Sequence, residues 1–373
     1  MKLFYVGENT KEQQTLTKMF GNGKHELAFA SDHDSALEQI KSSKWSIIFI
    51  STSATGIEPE AFAEEVSTYS PTSLKILSVD EDDKEEYGNV HHQLKRPIRS
   101  QELVNILEMY IPQQRAITKK HIVDAVQNVK TLPSPPKVYM QLNALLKHDT
   151  TDSDKIAEIV GRDPALVAKV MQFVNSSAMS KGREVETISD AITKMGVDTL
   201  CCIVMTAEMF SYQPSIDDFN IEKEQLHSLS TAKLAASMVK PEMKQNALLA
   251  GLLHDLGKLV LYEINPTQTK KFFQNRLGSA DNSKLEQKIF ATDHCHIGGY
   301  LLHMWGFPYP VIEAIVLHHS PEKLVKKPFD VAHAVHVADT LIRERELTPA
   351  FIEAFKLEGV LDKLVARADK LRL

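Results

Sequence analysis

The stretch ALLAGLLHDLGKLVL, residues 247–261, decides how this chain is read. Ala247, Leu248, Gly251, Leu252 and Leu259 recur at helical spacing, and His254, Asp255 and Lys258 interrupt the apolar run. A helix turns about 100° per residue, so an imidazole and a carboxylate in direct succession can lean onto one point, with Lys258 a turn further on the same side. A carboxylate beside a core-facing stripe is costly unless it is satisfied. A cation would satisfy it and so would a hydrogen-bonded core partner, and the dipeptide alone leaves both open. Further ligands must come from elsewhere in the chain.

At 373 residues the chain is longer than one core usually supports, which predicts two domains. The longest apolar runs are too short for a membrane helix, and the N-terminus turns polar after Val6, which points to a cytoplasmic protein. Cys201, Cys202 and Cys295 form neither a disulfide framework nor a CxxC zinc site, as suits a reducing compartment. Residues 1–112 carry 11 Lys and Arg against 18 Asp and Glu, and the remainder carries 32 against 31. Neither part has the basic excess of a nucleic-acid binder.

Residues 1–112 alternate short β-branched or aromatic runs with amphipathic helical patterns. Strands are expected at Leu3–Val6, Glu26–Ala30, Ile47–Ser51, Leu74–Val79 and Val90–Leu94, and helices at Thr10–Phe20, His33–Lys41, Pro59–Tyr69 and Ser100–Tyr110. That order predicts a doubly wound α/β domain with a parallel sheet and functional residues at the carboxyl ends of its strands. The pattern resembles the receiver domain of response regulators, a flavodoxin-like fold. In that family an acidic pair follows the first strand, a phospho-accepting Asp ends the third, a Ser or Thr ends the fourth, and a Lys before Pro ends the fifth. Here those positions hold Gly7-Glu8, Ser51, Ser78 and Lys95-Arg96-Pro97. Without the acceptor Asp, aspartyl phosphorylation is not expected, and the resemblance implies a pseudo-receiver serving as a docking or dimerisation module. Its face Leu94, Pro97, Ile98, Leu103 and Ile106 is either an interface or ordinary packing of the last helix.

A polar stretch, 113–130, with prolines following in LPSPP (132–136), reads as the linker, with His121–Val129 inside it a candidate helix. From 131 to 373 the pattern is all-α, about ten helices with no convincing strand. Asp163-Pro164 reads as N-cap and N1 of a helix over Ala165–Val174, and Gly196 breaks the stripe that runs from Ile188 to Leu200. LPSPPKVYMQLNALL, DPALVAKVMQFVNSS, ISDAITKMGVDTL, AGLLHDLGKLVL, HCHIGGYLLHMWGFP and HHSPE stand in the order found in the HDOD domain, which this region resembles from Leu132 through at least Asp339. HDOD domains are a branch of the HD superfamily of helical metal-dependent phosphohydrolases. The resemblance implies a bacterial signalling or regulatory module, often fused to a receiver domain and often without activity.

The HD superfamily uses a first His, a His-Asp pair and a distal Asp, with further His residues in its two-metal branches. The matching positions are His227, His254, Asp255 and Asp339, with His294, His318 and His319 between. His294 shares a face with Ile297, Gly298 and Leu301, whereas His296 and His303 fall on another side and read as surface residues. Gly298 and Gly299 inside a helix cost about 1 kcal/mol each relative to Ala, which suggests close approach of another helix or a ligand. Seven N and O donors suit one or two divalent metal ions, Fe, Mn, Zn or Mg. A hydrogen-bonded polar network descended from such a site is the alternative.

Two functions follow. In the first, an HDOD domain acts as an interaction or ligand-sensing module, coupled to a non-phosphorylatable pseudo-receiver and working through a signalling protein partner, a homodimer or a small nucleotide-like ligand. In the second, it is a metal-dependent phosphohydrolase or phosphodiesterase, with Asp255 and Lys258 as catalytic residues and Lys258 steadying a phosphoryl oxygen. Ser320-Pro321-Glu322-Lys323 follows the His pair in place of the Gly-Tyr-Pro of the cyclic-dinucleotide phosphodiesterases, which weakens that substrate. The tail after Arg345 reads as one or two helices covering the helical domain.

Overall fold

The computed structural model describes every residue except 55, 84–86, 130–131, 134–136, 139–140, 143–152, 176–184, 210–218, 279–280 and 373. The expected helix through Leu142, Leu145 and Leu146 lies partly outside these residues. The chain divides into two compact units, Met1–Val123 with Gly299–Ile312, and Asp124–Gly298 with Glu313–Leu373.

In the first unit the elements are β1 (Lys2–Val6), α1 (Thr10–Phe20), β2 (Glu26–Ala30), α2 (His33–Ser42), β3 (Ile47–Ser51), α3 (Pro59–Tyr69), β4 (Leu74–Val79), β5 (His92–Lys95) and α4 (Ser100–Ile117). The strands pair in parallel in the order β2-β1-β3-β4-β5, with Leu3 opposite both Leu27 and Ile47. β3 and β4 are buried along their whole length, as strands covered on both faces must be, and Phe4 stacks on Trp45 at 4.8 Å in the core. Asn9, Asp32 and Glu58 cap α1, α2 and α3 through their side chains. Lys75 is the exception in β4: it is 1% exposed, and its Nζ bonds Ser67 Oγ and lies 3.5 Å from the Ala63 carbonyl oxygen.

Two expectations need correction here. The last helix continues past Tyr110 to Ile117 with Pro112 inside it, because Leu103, Ile106, Leu107, Tyr110, Gln114 and Ile117 form one buried face that offsets the lost backbone bond. Within the stretch read as a linker, the helix expected at His121–Val129 is present as α5 (Lys120–Gln127). His303 is not a surface residue: it is buried and stacks on His91 at 4.3 Å within the first unit. The helix His294–Met304 is buried on nearly every side, so a one-faced reading of its wheel misplaces that ring.

The second unit is helical, without a strand among its described residues. Asp163 caps the helix Pro164–Val174 with Pro164 at its first turn, and Gly196, at φ 83°, separates Ile188–Met195 from Val197–Met209. The helices Ile221–Ala236, Lys244–Leu253 and Val331–Ile342 pack on one another. Where the first two cross, a β-carbon on Gly251 would fall 2.5 Å from Ala232 Cα, so only glycine permits the approach. Val331–Ile342 is buried at all of its 12 residues, which makes it the central helix and makes Asp339 a carboxylate in need of partners. The helix expected across 247–261 is interrupted. Lys244–Leu253 ends at His254, and Gly257–Leu261 resumes after tight turns closed by Leu256 N–H to Leu253 O (3.0 Å) and Lys258 N–H to Asp255 O (3.0 Å). The tail forms two helices, Pro349–Phe355 and Leu361–Leu371.

Candidate metal centre

The interruption at His254-Asp255 places both side chains in the interior of the second unit, where each is at most 3% exposed. The structure gathers His227, His254, Asp255 and Asp339 into one group, and His294, His318 and His319 with Cys295 into another. Within each group, one donor atom per residue lies within 4.8 Å of all the others.

Asp255 joins the two groups. Its Oδ2 lies 3.2 Å from His254 Nε2, and its Oδ1 lies 3.3 Å from His294 Nε2 and 3.9 Å from His318 Nε2. On the other side of His254, His227 Nε2 is 3.0 Å from Asp339 Oδ1 and 3.1 Å from His254 Nε2. His319 Nδ1 stands 3.8 Å from Asp339 Oδ2, with its ring against that of His318.

Three of the imidazoles are aimed by their other nitrogen. His254 Nδ1 donates to Gly251 O at 2.8 Å, and His318 Nδ1 donates to Ile315 O at 2.7 Å. His294 Nδ1 pairs with Glu286 Oε2 at 2.6 Å, and Tyr262 holds the other oxygen of Glu286 at 2.8 Å. Each ring therefore presents its Nε2 to the centre, the arrangement that metal-binding histidines adopt.

The two sides of Asp255 are not held alike: on the His294 side burial pushes that imidazole down, but Glu286 and Asp255 outweigh burial and hold it up. Asp255 Oδ1 is buried and accepts no hydrogen bond, although two Nε2 atoms face it. Lone pairs opposed to a carboxylate oxygen repel unless a cation or a proton lies between them. On the other side a proton serves: burial pushes the His254 imidazole down, but Asp255 and Asp339 outweigh burial and hold it up at about 9. Burial and the nearby Arg343 push His227 down to about 4, and burial holds His318 and His319 well below the usual histidine range. Asp255 and Asp339 stay well below the usual carboxylate range despite burial, held by His254, Lys258 and Arg343 for the first and by Arg345, His227 and His254 for the second. His227, His318 and His319 and the two carboxylates are thus in the forms that ligate metal, and His254 and His294 would each release a proton on binding, so the donor set fits divalent cations.

Four residues complete the site that sequence reasoning did not name. Arg343 Nη2 is 2.5 Å from Asp255 Oδ2, and its Nε is 3.0 Å from Asp339 Oδ1. Arg345 Nη2 is 2.5 Å from Asp339 Oδ2. Glu224 accepts from Lys258 Nζ and Arg343 Nη2, both at 3.3 Å. Spacing held a signal for two of them, since Arg343 is one turn after Asp339 and Glu224 is three before His227. Glu286 precedes His294 by eight residues across a turn and gave none. Lys258 lies inside this network, with Nζ 2.6 Å from Asp255 Oδ2. His296, expected at the surface, is half-buried and pairs with Asp293 Oδ1 at 2.7 Å.

Comparison with known proteins agrees with this architecture. The HDOD domain family matches residues 132–321, just over half of the chain. A solved Marinobacter aquaeolei VT8 protein, named for signal transduction, shares the fold over 88% of this chain and 77% of its own, with a TM-score of 0.53 at 18% identity. An HDOD domain protein of unknown function from Geobacter sulfurreducens aligns over 69% of this chain and 98% of its own, with a TM-score of 0.49 at 22% identity. An uncharacterized protein of Treponema pallidum (strain Nichols) is 24% identical over 225 residues, which is 58% of this chain and 43% of that protein. The chain therefore spans less than half the length of that relative.

Proposed function

We propose, from the premise that this chain belongs to the HDOD domain family, that it is a signalling protein whose helical domain keeps a two-cation HD-type centre and hydrolyses a small phosphoester, such as a nucleotide-like ligand. The observation that carries this reading is the orphaned Asp255 Oδ1, facing two imidazole nitrogens whose opposite nitrogens are already committed. A purely structural polar network would be expected to satisfy that oxygen. His227, His254, Asp255 and Asp339 would hold one cation, and Asp255, His294, His318 and His319 the other. Five imidazoles in the set favour Fe, Mn or Zn over Mg. Bound there, the metals would supply Lewis acidity and an activated water. Asp255 would bridge the two positions, and Lys258 would neutralise charge on a phosphoryl oxygen.

A second reading, in which the same domain works by contact with a partner, draws on the first unit. Arg96 Nη2 there bonds Ser51 Oγ at 2.9 Å and Thr52 Oγ1 at 2.7 Å, while Arg96 Nε meets Glu12 at 3.0 Å. A guanidinium thus lies at the strand end where a receiver would carry its phosphorylated Asp. This favours a pseudo-receiver that passes on signals by docking or dimerisation. Both readings place the protein in the cytoplasm, and no described helix is long and apolar enough to cross a membrane.

The test is elemental analysis of protein purified without chelator, beside His254→Ala and Asp255→Ala. Near-stoichiometric Fe, Mn or Zn that disappears in both variants supports the centre and opens a screen of phosphoesters. Absence of metal, with no change in thermal stability when metal is added, rejects it and leaves the docking module.

A further inference from the structure

The two halves of the centre are not equivalent. Asp255 Oδ2 and Asp339 Oδ1, the carboxylate atoms nearest His254 and His227, are both bonded by Arg343, through Nη2 at 2.5 Å and Nε at 3.0 Å. Its Nη2 also meets Glu224 at 3.3 Å, and Lys258 reaches the same Asp255 oxygen at 2.6 Å. Among the described residues no lysine or arginine bonds Asp255 Oδ1, the oxygen that faces His294 and His318. One half has a guanidinium bonded to both of its carboxylates, whereas Arg345, the arginine nearest the other, bonds only Asp339 Oδ2 and leaves Asp255 Oδ1 open.

Resting on the reading that this centre takes divalent cations, we infer that Arg343 is the resident cation of the His227–His254–Asp339 half, so that the two positions load in a fixed order. The His294–His318–His319 position fills first. The second metal competes with the guanidinium for Asp255 Oδ2 and Asp339 Oδ1, and it binds only as Arg343 gives them up. Arginine suits this role because its fork spans two carboxylates while its charge cannot be lost by titration. Arg343 is therefore a positioning residue that sets the affinity of one position and not of the other.

The experiment is calorimetric titration of Mn²⁺ into the full-length, chelator-stripped protein and its Arg343→Gln and Arg343→Lys variants. The wild type is expected to show two binding events at least about tenfold apart in affinity. Arg343→Gln should tighten the weaker event by about tenfold or more and leave the tighter one unchanged, with Arg343→Lys in between, since opposed charge at this range is weakly screened. His319→Ala should remove the tight event and His227→Ala the weak one.

If Arg343→Gln leaves the weak event unchanged or loosens it, or if His227→Ala removes the tight event, the inference is overturned. Thermal melts cover a variant that folds poorly without metal: a Mn²⁺-induced rise in Tm larger than that of the wild type supports competition, and an equal or smaller rise overturns it. Uptake by Arg343→Gln but not by the wild type would support the inference in its strongest form. No uptake by either chain would bring down the metal reading together with this one.

Discussion

Gly257 approaches His294 so closely that a β-carbon on it would fall 1.9 Å from the His294 carbonyl oxygen and 2.6 Å from the Gly298 backbone nitrogen. The turn after Asp255 and the helix that begins at His294 are thus in backbone contact, which is how residues 39 positions apart in the chain come to share a centre. Gly257→Ala must push the two segments apart. Overpacking of this kind costs about 1–3 kcal/mol or more, and it should also weaken metal uptake. Denaturant unfolding and metal titration should show both losses, whereas Gly359→Ala, with nothing within 4 Å, should show neither.

Glu286 touches no other member of the centre than His294, yet it sets the direction of that ring. Glu286→Gln should lower metal affinity roughly 10- to 100-fold, the usual cost of losing such an orienting partner. Competition with a coloured chelator would measure it. Tyr262→Phe, one step further out, should have a smaller effect in the same direction.

Burial lowers Lys75 to about 7 in the folded first unit, with only the carboxylate of Glu64 opposing the change. The neighbouring imidazoles of His91 and His303 are themselves pushed down by burial, so they remain neutral above pH 7. The unfolded chain takes up the lysine proton at a higher pH than the folded one, so stability should rise as pH increases from about 7 to about 10. Each tenfold change in proton affinity is worth about 1.36 kcal/mol, which makes the full effect on the order of 5 kcal/mol. Lys75→Met should flatten this part of the stability profile and be more stable than the wild type at pH 7, as read by urea unfolding at several pH values.

Ser51 ends β3, 1% exposed, with its hydroxyl shared between Ser53 Oγ at 2.8 Å and Arg96. Incubation with acetyl phosphate and Mg²⁺ should leave this unit without a phosphoryl adduct by intact mass. A base-labile, hydroxylamine-sensitive adduct in residues 1–123 would sink the pseudo-receiver reading.

The sheet was legible because its strands are short, β-branched and separated by well-capped helices; the limits of α1 and α3 coincide with the apolar periodicity. Pro112 misled because local propensity says nothing of the buried face that carries α4 past it. In the helical unit the histidines and aspartates could be located from sequence, but their counter-ions could not be read with the same ease. Arg343 and Arg345 look like ordinary solvated charges until they meet Asp255 and Asp339, and Glu286 does so until Tyr262 and His294 close on it. His303 failed for the opposite reason: a helix buried on nearly all sides has no polar face for a wheel to find.

The Nδ1 bonds of His254 and His318 each end on the carbonyl three residues earlier in the chain, at Gly251 and Ile315. The aim of these two rings is therefore inherited from the peptide backbone, and most substitutions around them would leave it intact over evolutionary time. His294 depends instead on a glutamate side chain that one codon change can remove. A lineage relaxing selection on this centre would lose the His294 position first, passing through descendants that keep the His-Asp pair in register long after the cation beside His294 has gone.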